Sequence, residues 1–298
     1  MAYLEHRHWK GTTGGTAWMQ RSLIVMYRIL PLEVLYAVMA LVIPFYMLFG
    51  HKGYLASYHY FRRRHGFGPL RSFIMVYANH FRFGQIILDR FASYAGKTFR
   101  MEKEGTEAFE RLCGGEGGFL MLSSHVGNYE LAGYSLTQGR RRLYALVFGG
   151  ETETVMKNRG EMFVRNGITM VPMSSDMSHI FTVSSALVNG DIVSMPGDRI
   201  FGSSKSLRAE LLGAPAAFPL GPFAIAVKRG VPAVATFVMK ESARRYRIIM
   251  KEIPVPEEGS ADESISAMAS AYARALGEVL GRYPAQWFNF FEFWETDK

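Results

Sequence analysis

The chain has 298 residues, 49% of them hydrophobic, and a formal net charge of +8. This is ample apolar material for one sizeable core, so one globular domain with an N-terminal appendage is the simplest organisation. The single cysteine, Cys113, excludes an internal disulfide and fits a reducing compartment. The basic balance suits an anionic membrane surface or an acidic protein partner. No nucleic acid partner is expected, because zinc-finger spacing, helix-turn-helix signals and RNA-binding aromatic signatures are lacking. The basic clusters Arg62-Arg63-Arg64, Arg140-Arg141-Arg142 and Arg244-Arg245 are short and separated.

From Val34 to Phe49 the chain is apolar and uncharged. Upstream, Leu23 to Leu32 is also largely apolar, broken by Arg28 and followed by Glu33. A full membrane span needs about 20 apolar residues, and this run falls slightly short and contains Pro44. It begins late and lacks a convincing cleavage site, so it is not a secretory signal. Three readings are open: a transmembrane helix, a monotopic hairpin bent near Pro31 or Pro44, and a buried core helix. Tyr27, Tyr36, Tyr46 and Tyr54 would serve as interfacial anchors in the first two. The heavier basic cluster, Lys52 with Arg62 to Arg64, lies C-terminal to the run and favours a cytoplasmic position for the rest of the chain. We therefore divide the chain into a membrane-associating segment, 1–54, and a catalytic domain, 55–298.

Residues 55–94 read as helical, with an aromatic stripe (Tyr58, Phe61, Phe73, Tyr77, Phe81) that core packing explains. Beyond it, strand-like and helix-like runs alternate. Strands are expected at Gly118–Ser123, Leu143–Phe148, Thr169–Pro172, Ile192–Pro196, Ala233–Met239 and Tyr246–Ile253. Helices are expected at 103–112, 129–138, 152–165, 177–189, 221–229 and 262–282. Continuous apolar runs rather than strict alternation indicate strands buried on both faces. The fold class is α/β, a mainly parallel mixed sheet flanked by helices.

The most informative stretch is Ser123-Ser-His-Val-Gly-Asn-Tyr-Glu130. It places His125 on a strand-to-helix turn and Glu130 in the first turn of the helix behind. Gly127 permits a tight backbone and Asn128 suits an N-cap. A general base needs an acceptor on its second ring nitrogen to fix the tautomer and stabilise the imidazolium. His125 with Glu130 could therefore activate a substrate hydroxyl or amine without an enzyme serine. Chemistry in such sheets collects at the carboxyl ends of strands, and Asp198-Arg199 follow another strand. The two motifs could face one crevice, with Arg199 on a phosphate or carboxylate, or Arg199 and Asp198 could form a surface salt bridge. Lys205 and Arg208 could extend a basic rim. No further ligands stand at metal-binding spacing around His125, so no metal is expected.

The run His125 to Glu130 resembles the His-four-residues-Asp/Glu motif of the lysophospholipid acyltransferase superfamily. Its form, His-Val-Gly-Asn-Tyr-Glu, is closest to the branch of the lauroyl and myristoyl acyltransferases of lipid A biosynthesis. Met195-Pro-Gly-Asp-Arg199 resembles the second block, and Gly213-Ala-Pro, Phe218 to Phe223 and Gly230 to Val234 the third. Tyr283-Pro-Ala-Gln-Trp287 resembles the closing motif. The blocks stand in the family's order over roughly residues 115–294.

The resemblance implies a membrane-associated acyltransferase at the cytoplasmic side of the bacterial inner membrane. It would move a fatty acyl group from a thioester to a hydroxyl or amine of a lipid-like acceptor. His125 would be the base, oriented by Glu130; Gly127, Asn128, Asp198 and Arg199 would bind substrate, and Arg159 or Arg165 would supply a further arginine. Acyl carrier protein is the implied donor partner, with acyl-coenzyme A the alternative, and no cofactor is implied. The second block reads Gly197-Asp198-Arg199, unlike typical lipid A enzymes, which leaves the acceptor open. Other readings are an inactive membrane-surface binding protein, or a thioesterase or hydrolase on the same fold. The lack of a Gly-x-Ser-x-Gly elbow disfavours a serine hydrolase.

Overall fold

In a computed structural model, the described residues are 22, 25–27, 29–49, 51–136, 141–148, 153–173, 178–200, 205–256 and 258–294. Arg28 and Arg140 lie outside them. Among the described residues nine strands follow in chain order: β1 (Arg100–Glu104), β2 (Phe119–Ser123), β3 (Leu143–Phe148), β4 (Ile168–Met173), β5 (Ile192–Pro196), β6 (Ser206–Leu211), β7 (Ala214–Pro219), β8 (Ala233–Ser242) and β9 (Arg245–Ile253). The helices are α1 (Leu32–Phe49), α2 (His51–His59), α3 (Pro69–Tyr94), α4 (Glu107–Gly114), α5 (Tyr129–Leu136), α6 (Glu153–Arg165), α7 (Ser178–Val188), α8 (Leu220–Arg229) and α9 (Ala261–Arg282), with a π-helical turn at Tyr60–Arg64.

Seven strands form one sheet in the order β1-β9-β8-β2-β5-β3-β4. All its pairings are parallel except β8 with β9, which meet as an antiparallel hairpin. The fold class expected from the apolar runs is therefore the one observed. Alternate residues of β2 feed two cores. Leu120 and Leu122 join Phe237 and Tyr272 on one face, while Phe119 and Met121 join Val238 and Ile248 on the other. These four β2 side chains are buried, each contributing roughly 1.5–3 kcal/mol. On the first face, α9 starts from a full capping box in which Ser260 Oγ accepts from the Glu263 amide and Glu263 accepts from the Ser260 amide.

Three strands depart from expectation. Arg100–Glu104, which overlaps the helix expected from 103, is β1, a charged edge strand alongside β9. Charges on an edge blunt further pairing and also hide the strand's pattern. β6 and β7 form a separate hairpin across Leu212-Gly213. Both turn residues have positive φ, 50° and 77°, as a two-residue hairpin loop requires.

The stretch 55–94 is not one helix. It breaks at the π-helical turn and restarts at Pro69 in the 26-residue α3. No single helix among the described residues is long and apolar enough to cross a membrane; the pair Leu32–Leu48 and Gly53–Arg64 passes that test only together, bent by 96°. α1 lies along α3. The Tyr77 hydroxyl donates to the Ala40 carbonyl at 3.0 Å, and the Tyr46 and His80 rings meet at 6.2 Å. Near the start of α1, Tyr36 and Tyr246 both donate to Asp89, whose other partner is the Lys240 ammonium at 2.5 Å. Asp89 and Lys240 are fully buried; burial pushes the carboxyl pKa up and the ammonium pKa down.

Candidate active site

β2 delivers His125 at its carboxyl end, and the adjacent parallel strand β5 delivers Asp198. His125 Nδ1 meets Asp198 Oδ1 at 2.9 Å, and the His125 backbone amide donates to Asp198 Oδ2 at 2.7 Å. One carboxylate thus grips both ring and backbone. With Asp198 accepting from Nδ1–H, Nε2 carries the lone pair. Burial, then the Arg199 charge, pull the imidazole pKa below its ordinary value and outweigh Asp198, which pulls it upward. Burial alone would raise the Asp198 pKa, but the His125 ring, its hydrogen bonds and Arg199 hold it below the usual carboxylate value.

Glu130 stands elsewhere in this arrangement. Its carboxylate lies in the first turn of α5, where the helix aims it at α6 and α3. Arg159 Nη2 meets it at 2.9 Å and Arg90 Nη1 at 3.3 Å, with the Tyr94 hydroxyl at 3.5 Å. Burial would raise the Glu130 pKa, but Arg159 and Arg90 outweigh it and hold it below the usual value. The expectation that Glu130 orients His125 is therefore corrected: the carboxylate on Nδ1 is Asp198. The reason is topological, because β2 and β5 are neighbours in the sheet although far apart in sequence. Of the two candidate arginines, Arg159 is buried on Glu130 and Arg165 is exposed at the end of α6.

Gly127 and Asn128 build the turn and do not present their amides to a ligand. The Gly127 amide donates to the Gln286 carbonyl and the Asn128 amide to the Val238 carbonyl, both at 2.8 Å. Gly127 has φ +54°, and a Cβ there would lie 1.9 Å from the Val238 oxygen, so only glycine fits. Asn128 is fully buried at the N-terminal end of α5. The substrate-binding role expected for both is replaced by a structural one. Gln286, from the closing motif, clamps the same region: its side chain accepts from the Lys240 amide and donates to the Lys240 carbonyl, both at 2.8 Å.

Arg199 is buried too, so the surface salt bridge fails. Its Nη2 donates to the Phe288 carbonyl at 2.6 Å, and its guanidinium lies 5.8 Å from the Phe291 ring. It ties the C-terminal segment to the site. That segment closes the core: Trp287, Phe293 and Trp294 are buried, and Trp294 Nε1 donates to the Leu211 carbonyl at 2.9 Å.

A cleft, open to solvent in part, runs between the sheet and helices α5 and α6. His125, Tyr129, Glu130 and Arg159 line it together with Ser123 and Pro196 at the carboxyl ends of β2 and β5. Toward the other ends of the strands the wall is apolar, made by Met121, Leu143, Ala145, Phe163 and Ile168. Gly133 faces this deep end, where a Cβ would come within 2.6 Å of Ile168 Cδ1. Lys205 and Arg208 are exposed and do not line the cleft. Arg90, Tyr94 and the Asp198 role are what sequence reasoning missed; the one available signal was that Asp198 follows a strand as His125 does.

No curated protein sequence matches the chain. A base held by a carboxylate, beside an apolar cleft and an arginine-glutamate cluster, accords with a match to the bacterial lipid A biosynthesis acyltransferase family over residues 80–296, and the chain belongs to that family of acyltransferases.

Proposed function

We propose that the protein moves a fatty acyl group from an acyl thioester to a hydroxyl or amine of a lipid-like acceptor, with His125 as base and Asp198 as its positioning residue. The observation that carries this is the Asp198-held imidazole at one end of a cleft whose other end is apolar. The chain of the donor lies along Met121, Phe163 and Leu143. His125 Nε2 takes the proton of the acceptor O–H or N–H as that atom attacks the thioester carbonyl. The tetrahedral intermediate then expels the thiolate, which receives the proton back from the imidazolium. Asp198 stabilises that imidazolium during its lifetime. Glu130 acts through Arg159, holding its guanidinium at the cleft wall, where it favours negative charge on an acceptor or on the reacting carbonyl. Acyl carrier protein fits as donor partner because its acidity matches a chain of charge +8. This chemistry suits a protein at a bacterial inner membrane, with the cleft on the cytoplasmic side where such donors are made.

The test is transfer by the purified full-length protein with acyl carrier protein or coenzyme A thioesters and a bacterial lipid extract, followed by lipid mass spectrometry. New acyl lipid is expected, faster from the carrier-protein donor. Release of free fatty acid alone, with acceptor present, would establish the thioesterase reading. No turnover with any donor would leave the binding-protein reading.

The geometry also sets two kinetic outcomes. Because His125 is held below its ordinary pKa of about 6.5, the acid limb of kcat/KM should fall below pH 6.5. Arg199→Ala removes a depressing charge, so the imidazole should protonate more readily and the limb should move to higher pH. A pH profile of the variant checks this, with acceptor KM little changed because Arg199 is committed to Phe288. In the cleft, Gly133→Leu fills the deep end. It should lower kcat/KM for long acyl donors at least about tenfold while short donors react normally; competition between donors of different length measures it.

A further inference from the structure

Apart from Glu33, α1 is apolar all round, and among the described residues only one side of it is covered by protein. Leu32, Tyr36, Ile43 and Met47 are buried, most of them toward α3. On the opposite side Val34, Val38, Leu41, Phe45 and Leu48 recur at helical spacing and are all exposed, Leu41 and Leu48 by about three quarters. A soluble surface rarely leaves so long an apolar stripe uncovered. A second exposed group adjoins it. On α3, Tyr77 and Phe81 carry α1, and the same stripe continues N-terminally through Ile74, Phe73 and Leu70, beyond the end of α1 and open to solvent. The two groups thus face one side of the molecule, stepped by one helix diameter, ~10 Å.

Charge identifies the occupant. Between Glu33 and Asp89 the sequence has no acidic residue, but six lysines and arginines: Lys52, Arg62, Arg63, Arg64, Arg71 and Arg82. Arg62 and Arg71 are exposed and bracket Phe67, one on its carbonyl and the other 3.7 Å above its ring, next to Leu70. Apolar stripe and basic rim together suit an anionic lipid leaflet. Crossing the bilayer is disfavoured by the packing. The 18 residues of α1 reach about 27 Å, short of a core of about 30 Å. Along that length α1 is fastened to α3, from Tyr36 on Asp89 to Tyr46 on His80, and α3 carries Arg90 onto Glu130 of the catalytic domain.

We propose that the outer stripe of α1 and the first turns of α3 form one face that seats in a single anionic leaflet without crossing it. α1 lies at the acyl-chain boundary, and Leu70, Phe73, Arg62 and Arg71 lie at headgroup depth. All these apolar residues precede residue 80, where the family match begins, so the proposal stands apart from the acyltransferase reading.

The full-length protein is to be floated with vesicles of phosphatidylethanolamine and phosphatidylglycerol, and with vesicles of phosphatidylcholine alone. Binding should be strong to the first and weak to the second. Leu41→Glu with Phe45→Glu, and separately Leu70→Glu with Phe73→Glu, should each reduce binding at least about fivefold. Phe181→Ser, at an exposed apolar residue of α7, should change nothing, and unchanged thermal unfolding would show that the variants fold. In a Cys113→Ser background, spin labels at Leu41→Cys and Phe73→Cys should both enter the membrane, the first deeper, neither past the midplane. Full binding by the Leu70→Glu, Phe73→Glu variant would overturn the proposal. So would a label at position 41 at the bilayer centre with position 73 in water, the signature of a spanning helix. A vesicle-free dimer that the same substitutions dissociate would assign the face to a second copy and also overturn it.

Discussion

Replacing His125 with alanine should slow acyl transfer by at least about two orders of magnitude, since general-base catalysis contributes roughly 10² to 10⁴. Folding should survive, because the turn is held by backbone bonds from Gly127, Asn128 and Phe288 that the imidazole does not make. Asp198→Asn should fall in the same range. The amide cannot stabilise the imidazolium, and it can hold the ring in the wrong tautomer. The loss should appear in kcat. Steady-state rates with donor and acceptor varied separately check both variants, and a well-folded His125→Ala protein of full activity would end the base assignment.

The second large effect is on stability. Glu130→Ala leaves the Arg159 and Arg90 guanidiniums without the carboxylate that neutralises them in a largely buried site. Breaking a buried pair from one side costs about 3–5 kcal/mol, so the melting temperature should drop by roughly 10 °C. Glu130→Gln should recover little, because the charge is what is missing. The pH dependence has a definite sign. The arginines hold the folded-state pKa of Glu130 below its unfolded value of about 4.3, so its contribution is fully present above that pH. It is lost as pH falls through the lower folded value. The gap between wild type and variant, measured by denaturant unfolding, should therefore narrow in acid. An unchanged melting temperature with lost turnover would show that Glu130 acts on the reaction and that the arginines are satisfied otherwise.

These two carboxylates mark where the sequence stops being informative. His125 was legible because a turn between an apolar strand and a helix exposes a side chain at the strand's carboxyl end. Its partner was not, because proximity in sequence favoured Glu130 whereas the sheet order sets β5 beside β2. The buried strands were legible as unbroken apolar runs, while β1 was not, since an edge strand of Arg-Met-Glu-Lys-Glu carries no such signal. Arg90 was hidden for a different reason: it sits in a helix whose aromatic stripe reads as core, and only the packing of α3 beside α5 brings it to Glu130.

The buried Asp89 cluster has a consequence for synthesis on the ribosome. Tyr36 and Asp89 emerge early, but the Ala243 carbonyl that also meets the Tyr36 hydroxyl lies 207 residues further along the chain. At about 5–20 residues per second, roughly 10–40 s separate them. During that interval α1 and α3 could pair only by enclosing Asp89 without the Lys240 ammonium, an unfavourable arrangement for a carboxylate. Pairing of α1 with α3 is thus disfavoured until Lys240, in the last fifth of the chain, arrives. An apolar helix in that state has a nearby solvent in any bilayer it touches, so the growing chain would reach the lipid surface before its active site exists.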